Sequence, residues 1–299
     1  MGAPELKGIF PPTEKRHRPG PFSGASSLIK DSFTLNTLLL LGAFIQAIIT
    51  LILPARYAIL LPLILLLRAL FFTIRDVRSL PRYLESQGVI PGRLSSQLPK
   101  PSYSSSSGGS PFGSKPASQS LVVFHLGARF QHPLGPLSPG AKELGDIFTS
   151  LNKELLVKAK EYGCLDVSLW NGDERDSVTT ILGVYYFRDL EGLNRFAHDE
   201  MHRKGWEWFE RFKKEGNNHL GIFHETFEVR KGGWEGIYVD MQPVLLGNGS
   251  LCVREEEEGR EEWVRTLVDA GKGWGGSLGT QFLRMGRGRD GKQGWEEKE

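Results

Sequence analysis

His198 and His202 stand four residues apart in the run Arg195 to Arg203 (RFAHDEMHR), a spacing that sets two imidazoles one turn apart on a helix face. Such a pair can bind a metal ion or grip a haem iron. It is not the zinc-protease pattern HExxH, because Glu200 stands third rather than second. The plain alternative is two partly exposed helix histidines near carboxylates. His125, between Phe124 and Leu126, and His224, between Phe223 and Glu225, each fall in the middle of a strand-like run. A polar ring there needs a partner or a cavity. Together with Trp170 and Asn171 at a strand end, they suggest a polar patch on a sheet face, although either histidine could instead be a satisfied core residue.

Other chemistry is weakly signalled. Gly271 to Gly276 (GKGWGG) and Gly286 to Gly291 (GRGRDG) spell GxGxxG, but neither follows a strand or opens a helix, so no nucleotide fingerprint is supported. No GxSxG elbow occurs. The two cysteines, Cys164 and Cys252, lie far apart, which excludes a disulfide-built domain and a cysteine-rich zinc site. Across 299 residues, 37 basic side chains oppose 35 acidic ones, and this balance excludes a uniformly basic nucleic-acid binder.

The elements that must hold these residues lie between 121 and 247. Leu121 to Leu126 reads as a strand. Ser138-Pro139 opens a helix, with Ser138 as N-cap, and Leu144, Ile147, Phe148, Leu151, Leu155 and Leu156 recur at helical spacing up to Gly163. Cys164 to Trp170 alternates as a strand, Asn171-Gly172-Asp173 is a turn, and Ser177 to Phe187 is a longer strand. Asp189 begins a second helix, with Leu193, Phe196, Trp206, Trp208, Phe209 and Phe212 on its apolar surface. Leu220 to Val229 and Gly236 to Met241 complete the order β-α-β-β-α-β-β, an α+β, ferredoxin-like split βαβ pattern with one extra strand. Both helices on one face of the sheet leave the other face needing a cover, and dimerisation into an α/β barrel is one solution.

The flanks divide by composition. Residues 1–33 are Pro/Gly-rich and basic and read as a disordered arm. Residues 75–120 are a juxtamembrane segment running into a Ser/Gly/Pro linker, and 248–299 a mostly flexible tail. Residues 34–74 differ in kind. Thr34 to Leu53 is twenty residues without a charge, about 30 Å of helix, and Tyr57 to Ile74 is eighteen with Arg68 alone charged. A buried helical hairpin of a soluble protein is the alternative, but such helices rarely stay apolar on every face. The expectation is a transmembrane helical hairpin, a two-helix multi-pass anchor. Lys7, Lys15, Arg16, Arg18 and Lys30 precede it, Arg75, Arg78, Arg82, Arg93 and Lys100 follow it, and Arg56 alone lies between, so both flanks and the globular domain are expected to face the cytoplasm.

Val122 to Phe130 (VVFHLGARF), His132-Pro133-Leu134-Gly135, the Trp170 turn, Tyr185-Tyr186-Phe187-Arg188-Asp189, the His198 to His202 helix and Phe223 to Phe227 (FHETF) resemble a family of fungal and bacterial monooxygenase-like proteins. That family is similar to the dimeric α/β-barrel group that includes antibiotic-biosynthesis monooxygenases. The resemblance implies oxidation of a lipophilic small molecule, often in secondary metabolism, by proton abstraction and reaction with O₂ without a cofactor. It implies His125 or His224 as base, Trp170 or Asn171 as donor to the developing oxyanion, and a homodimer. One alternative is a haem enzyme of the same superfamily, with His198, His202 or His224 as axial ligand. Another is a non-catalytic membrane-anchored binding or scaffold module. The partners expected are the substrate, O₂ and the lipid bilayer, and no nucleic acid.

Overall fold

The structure is a computed structural model that describes residues 5–17, 33–105, 109–172, 180–271 and 276–288. The greater part of the arm (1–4, 18–32), part of the linker (106–108), residues 173–179 with the end of the expected Asn171-Gly172-Asp173 turn and the start of the strand expected from Ser177, most of the first glycine-rich motif (272–275) and the end of the tail from 289, which takes in the rest of the second, lie outside the described residues. Asn171 and Gly172 themselves are strand residues, paired with Ile181 and Thr180. The chain divides into two compact units, Ser23–Ile90, and Met1–Phe22 with Pro91–Glu299.

The first unit is helical. Helix α1 (Leu35–Ile52) is capped by Thr34, whose side chain accepts from Thr37 N–H. Pro54 ends the run, a short α2 (Ala55–Ala58) follows, and α3 (Leu60–Arg78) leads into α4 (Leu80–Ser86). Gln46 Nε2 donates to the Ala58 carbonyl at 3.0 Å, tying α1 to the turn. Neither α1 nor α3 buries a single residue, and Leu40, Phe44, Leu51, Ile64 and Phe71 are all exposed. Both apolar stretches, Leu35–Ile52 and Ala55–Arg78, are long and apolar enough to cross a membrane.

In the second unit, β1 (Ile90–Ser96) and β2 (Ser102–Tyr103) precede β3 (Leu121–Phe130). Helix α5 (Ala141–Val157) and the single turn α6 (Ala159–Tyr162) lead to β4 (Cys164–Gly172), β5 (Thr180–Phe187), α7 (Leu190–Ala197), α8 (Glu200–Lys214) and β6 (Leu220–Val229). The chain then forms β7 (Tyr238–Met241), β8 (Ser250–Glu255), β9 (Glu261–Arg265), β10 (Leu267–Asp269) and the turn α9 (Gln281–Arg284). The central sheet is antiparallel in the order β4-β5-β3-β6, the α+β arrangement expected of the pattern.

Side chains alternate across this sheet. Val122, Phe124, Tyr185 and Phe187 point to the helices and pack with Leu155, Tyr162 and Phe196. Leu121, Leu165, Val123, Tyr186 and Val229 point the other way. There the β8–β9 hairpin covers one end of the sheet with Leu251, Val253 and Val264.

Four features depart from the sequence reading. The arm, linker and tail are in part ordered: Leu6, Leu98, Tyr103, Phe112, Ala117 and Leu278 are buried in one core with the β8–β9 hairpin. Gly8 bridges Val268, Thr13 bridges Trp263, and β2 runs parallel to β8. Each polar stretch is unable to bury itself, but their scattered apolar side chains bury one another. Secondly, the strand expected at 236–241 joins β1 rather than the central sheet, in the order β10-β1-β7. Thirdly, Gly140, not Ser138, caps α5. It takes φ 76° so that the Phe212 ring can lie where a Cβ would stand, 2.4 Å from the nearest ring carbon. Lastly, the second helix is two helices, because Asp199 accepts from Met201 N–H at 3.0 Å and starts a new one.

Candidate active site

The helix-side face of the sheet lines a cavity of about 400 Å³ that is open to solvent beside the edge strand β6, where Asn194, Trp206, His224 and Thr226 are exposed. Phe124, Leu126 and Ala128 of β3 and Ile222, His224 and Thr226 of β6 form its floor. Leu144, Ile147, Phe148 and Leu151 of α5, Leu193 and Asn194 of α7, and His202, Trp206 and Phe209 of α8 form its walls. The lining is apolar and aromatic with four polar side chains, the composition of a small-molecule site.

Strand register decides which histidines reach it. Leu126 pairs with His224, and His125 pairs with Glu225. One residue of offset sends the two histidines to opposite faces. His224 joins the floor, its ring 5.7 Å from that of Phe124. His125 lies on the far face, its Nδ1 3.8 Å from Glu225 Oε2 and its ring edge-on to Phe227. The expected single polar patch holding both is therefore split. Trp170 shares the His125 face through its pairing with Leu182, which pairs with Gly127, and is 47% exposed. Asn171 pairs with Ile181 and so belongs to the helix face, but the cavity lining does not include it.

The helix break separates the other pair. His198 is the C-cap of α7, exposed, with Nδ1 2.8 Å from the Asn194 carbonyl oxygen. His202 is the third residue of α8, lines the cavity, and sets its ring edge-on to Phe196 at 5.7 Å. The two do not share one continuous helix face. Burial holds His202 below the usual imidazole range, and the neighbouring His198 and His224 push it the same way, against a backbone hydrogen bond at Ala197 and the Asp199 carboxylate.

The structure brings together His202 and His224, and adds two residues that sequence reasoning did not single out, Asn194 and Thr226. Thr226 was within reach, since it stands two residues from His224 and must share its face. On the same side of the sheet, the buried Tyr185 hydroxyl of β5 donates to Asn152 Oδ1 of α5 at 2.9 Å. Among the described residues, no group of three or more His, Cys, Asp or Glu side chains converges as a metal site. His202 or His224 could ligate a haem iron, but among the described residues no lysine or arginine lines the cavity to hold the propionates, so these residues do not fit haem.

Residues 121–246 match the family described as monooxygenase af470-like. Over 265 residues the chain is 36% identical to the monooxygenase af470 of Aspergillus fumigatus, a match that covers 89% of this chain and 93% of the relative. Among solved structures, a conserved Bacteroides thetaiotaomicron protein described as a possible oxidoreductase is 13% identical over 37% of this chain and 98% of its own, with a TM-score of 0.27. SnoaB, a cofactor-independent oxygenase from Streptomyces nogalater, is 12% identical over 38% and 94%, with a TM-score of 0.26. Likenesses so partial carry no argument about chemistry.

Proposed function

The chain belongs to the af470-like monooxygenase family and is an oxidoreductase, and from that premise we propose that it oxidises a lipophilic small molecule in the cavity between the sheet and its helices, as a step of secondary metabolism and without a cofactor. The observation that carries this reading is the placement of two imidazoles, His202 and His224, in the same apolar cavity of the ferredoxin-like core.

The chemistry needs a base, a donor to the developing oxyanion and exclusion of water. The imidazole pair supplies the base. A methylene whose carbanion the substrate stabilises loses a proton to it, and the carbanion combines with O₂ to give a hydroperoxide. Loss of water then leaves a ketone. The sum is R₂CH₂ + O₂ → R₂C=O + H₂O, in which the substrate provides all the electrons that reduce O₂. The Asn194 amide and the Thr226 hydroxyl are the donors that the cavity offers to the enolate oxygen. Leu144, Ile147, Phe148, Leu151 and Phe209 keep the site apolar, which favours a lipophilic substrate.

Two further parts belong to the proposal. Helices α1 and α3 span a bilayer, with both flanks on the cytoplasmic side; the exposure of their apolar side chains and the basic flanks support this. A second copy covers the rest of the His125 face, where Trp170, Phe223 and Phe227 remain exposed. Release of the chain by alkaline carbonate, or a monomeric sedimentation value in detergent, would remove the first or the second.

The deciding experiment is isotopic. A strain that carries the His202→Ala/His224→Ala double variant is expected to accumulate a precursor lacking one oxygen and retaining two more hydrogens than the normal product. Under oxygen-18 gas the wild-type product gains a single labelled atom. An unchanged metabolite profile in the variant, with the protein folded, rules the reading out and leaves a binding or scaffold module.

A further inference from the structure

The break between α7 and α8 is built rather than incidental. Asp199 N–H donates to the Phe196 carbonyl at 3.1 Å and His198 N–H to Asn194 at 3.0 Å, closing α7. Asp199 Oδ1 then caps α8 through Met201 N–H. Its other oxygen accepts from the Tyr162 hydroxyl at 2.9 Å and from Lys158 Nζ at 3.2 Å. Lys158 is itself paired with Glu154 at 2.6 Å. The carboxylate is therefore fixed from two sides, by the helix it starts and by the end of the α5–α6 segment, and these bonds hold it below the usual carboxylate range.

This anchoring governs His202, three residues on. A continuous helix through 198–199 would carry the ring along the His198 face, which is exposed. The restart instead sets it against Phe196 and into the cavity. The charged and titratable groups that act on the ring are His198 from the break, His224 from β6, and Asp199. The elements packed opposite contribute apolar side chains, Ile147 and Leu151 of α5 and Phe124 of β3. Among these groups Asp199 alone is a carboxylate, and it acts on His202 in the opposite sense to the two histidines.

We propose that Asp199 is a positioning residue of the site: it aims His202 into the cavity and offsets the charge created when the His202–His224 pair takes up a proton. This rests on the cavity being the monooxygenase site, but its test needs no substrate, so it fails or stands separately from that reading.

The test is an NMR titration of the full-length protein in detergent, with ¹³C-labelled histidine and His202→Asn to identify the resonance. Asp199→Asn keeps a good N-cap and a group that can hydrogen-bond Tyr162, but removes the charge. His202 is then expected to titrate lower by about half a pH unit or more. Lys158→Met leaves the Asp199 carboxylate less neutralised, so His202 is expected to titrate higher than in the wild type. Asp199→Ala is expected to lose, in addition, the ring-current shift that Phe196 imposes. A purely structural cap does not produce shifts of opposite sign. A His202 titration unmoved by both Asp199→Asn and Lys158→Met overturns the proposal, as does an Asp199→Ala spectrum in which the Phe196-induced shift persists.

Discussion

His125 and His224 sit on adjacent strands, one residue out of register, and therefore face opposite sides of the same sheet. The parity separates two roles that the amino-acid types alone leave indistinguishable. His224 shares the cavity with His202, and His125 faces Glu225 and Phe227 outside it. Replacing His224 by alanine is expected to lower product formation by about 10²–10⁴-fold, the usual worth of a positioned base. His125→Ala is expected to leave turnover within about threefold, since the ring touches no cavity group and such surface changes cost little. Product yield at matched protein levels in the producing strain tests the pair; equal losses from the two variants would show that the site uses both faces.

The helix pair around the cavity is set by a missing side chain. Gly205 of α8 lies against α5, where a Cβ would stand 2.8 Å from Ile147 Cγ2. Alanine is the better helix former by about 1 kcal/mol. Even so, overpacking at a well-packed contact costs about 1–3 kcal/mol. Gly205→Ala is therefore expected to lower the Tm of the protein, and Ile147→Ala in the same chain to restore part of it. Additive losses in the double variant would mean that the two helices do not meet as tightly as the contact indicates.

How much of this was legible in the sequence differs by element. The order of strands and helices from 121 to 229 was legible because the periodicity there is strong, and Leu121, Cys164 and Leu220 are where strands start. The faces were not legible, because facing depends on the β3–β6 register, a long-range property. The helix break was half-signalled, since Asp199 is a cap residue, but the apolar positions run on past it from Phe196 to Trp206. The order in the arm, linker and tail was hidden. Leu6, Leu98, Phe112 and Val264 are isolated among Ser, Gly, Pro and charged residues, and they form a core only when brought together from four places in the chain.

The Glu255 carboxylate shows what that hidden core depends on. It accepts from Glu258 N–H at 2.7 Å and from both the backbone and the hydroxyl of Ser105 at 3.2 and 2.9 Å, and these donors lower it to about 2. A folded-state value below the unfolded one contributes stability above the unfolded value, and loses it as pH falls through the folded one. Glu255→Gln is therefore expected to lower the Tm at pH 7, with the difference shrinking below about pH 4.5, the ordinary carboxylate value, and vanishing near pH 2. Thermal melts of both proteins across that range check it; a difference that does not change with pH would assign the effect to lost packing instead.

Asp166 works in the opposite sense. It is buried on the far side of β4, where Ser168 donates to Oδ2 at 3.1 Å, and Oδ1 has no hydrogen-bond partner among the described residues. Burial pushes its carboxyl up to about 6, against the pull of Ser168, the Val167 N–H, the Arg16 guanidinium and Asn248. Because the folded form holds its proton more tightly than the unfolded chain does, stability contributed by the neutral acid is full below about pH 4 and is lost as pH rises through about 6. The shift from 3.8 to about 6 amounts to at most about 3 kcal/mol at neutral pH. Asp166→Asn keeps one oxygen for the existing donors and places an uncharged amide where Oδ1 is unpartnered. It is expected to raise the Tm above pH 6 and to leave it unchanged near pH 4. Melting curves at pH 4 and pH 8 decide the matter, and a variant less stable at both would mean that the charge, held by Arg16, is what the fold requires.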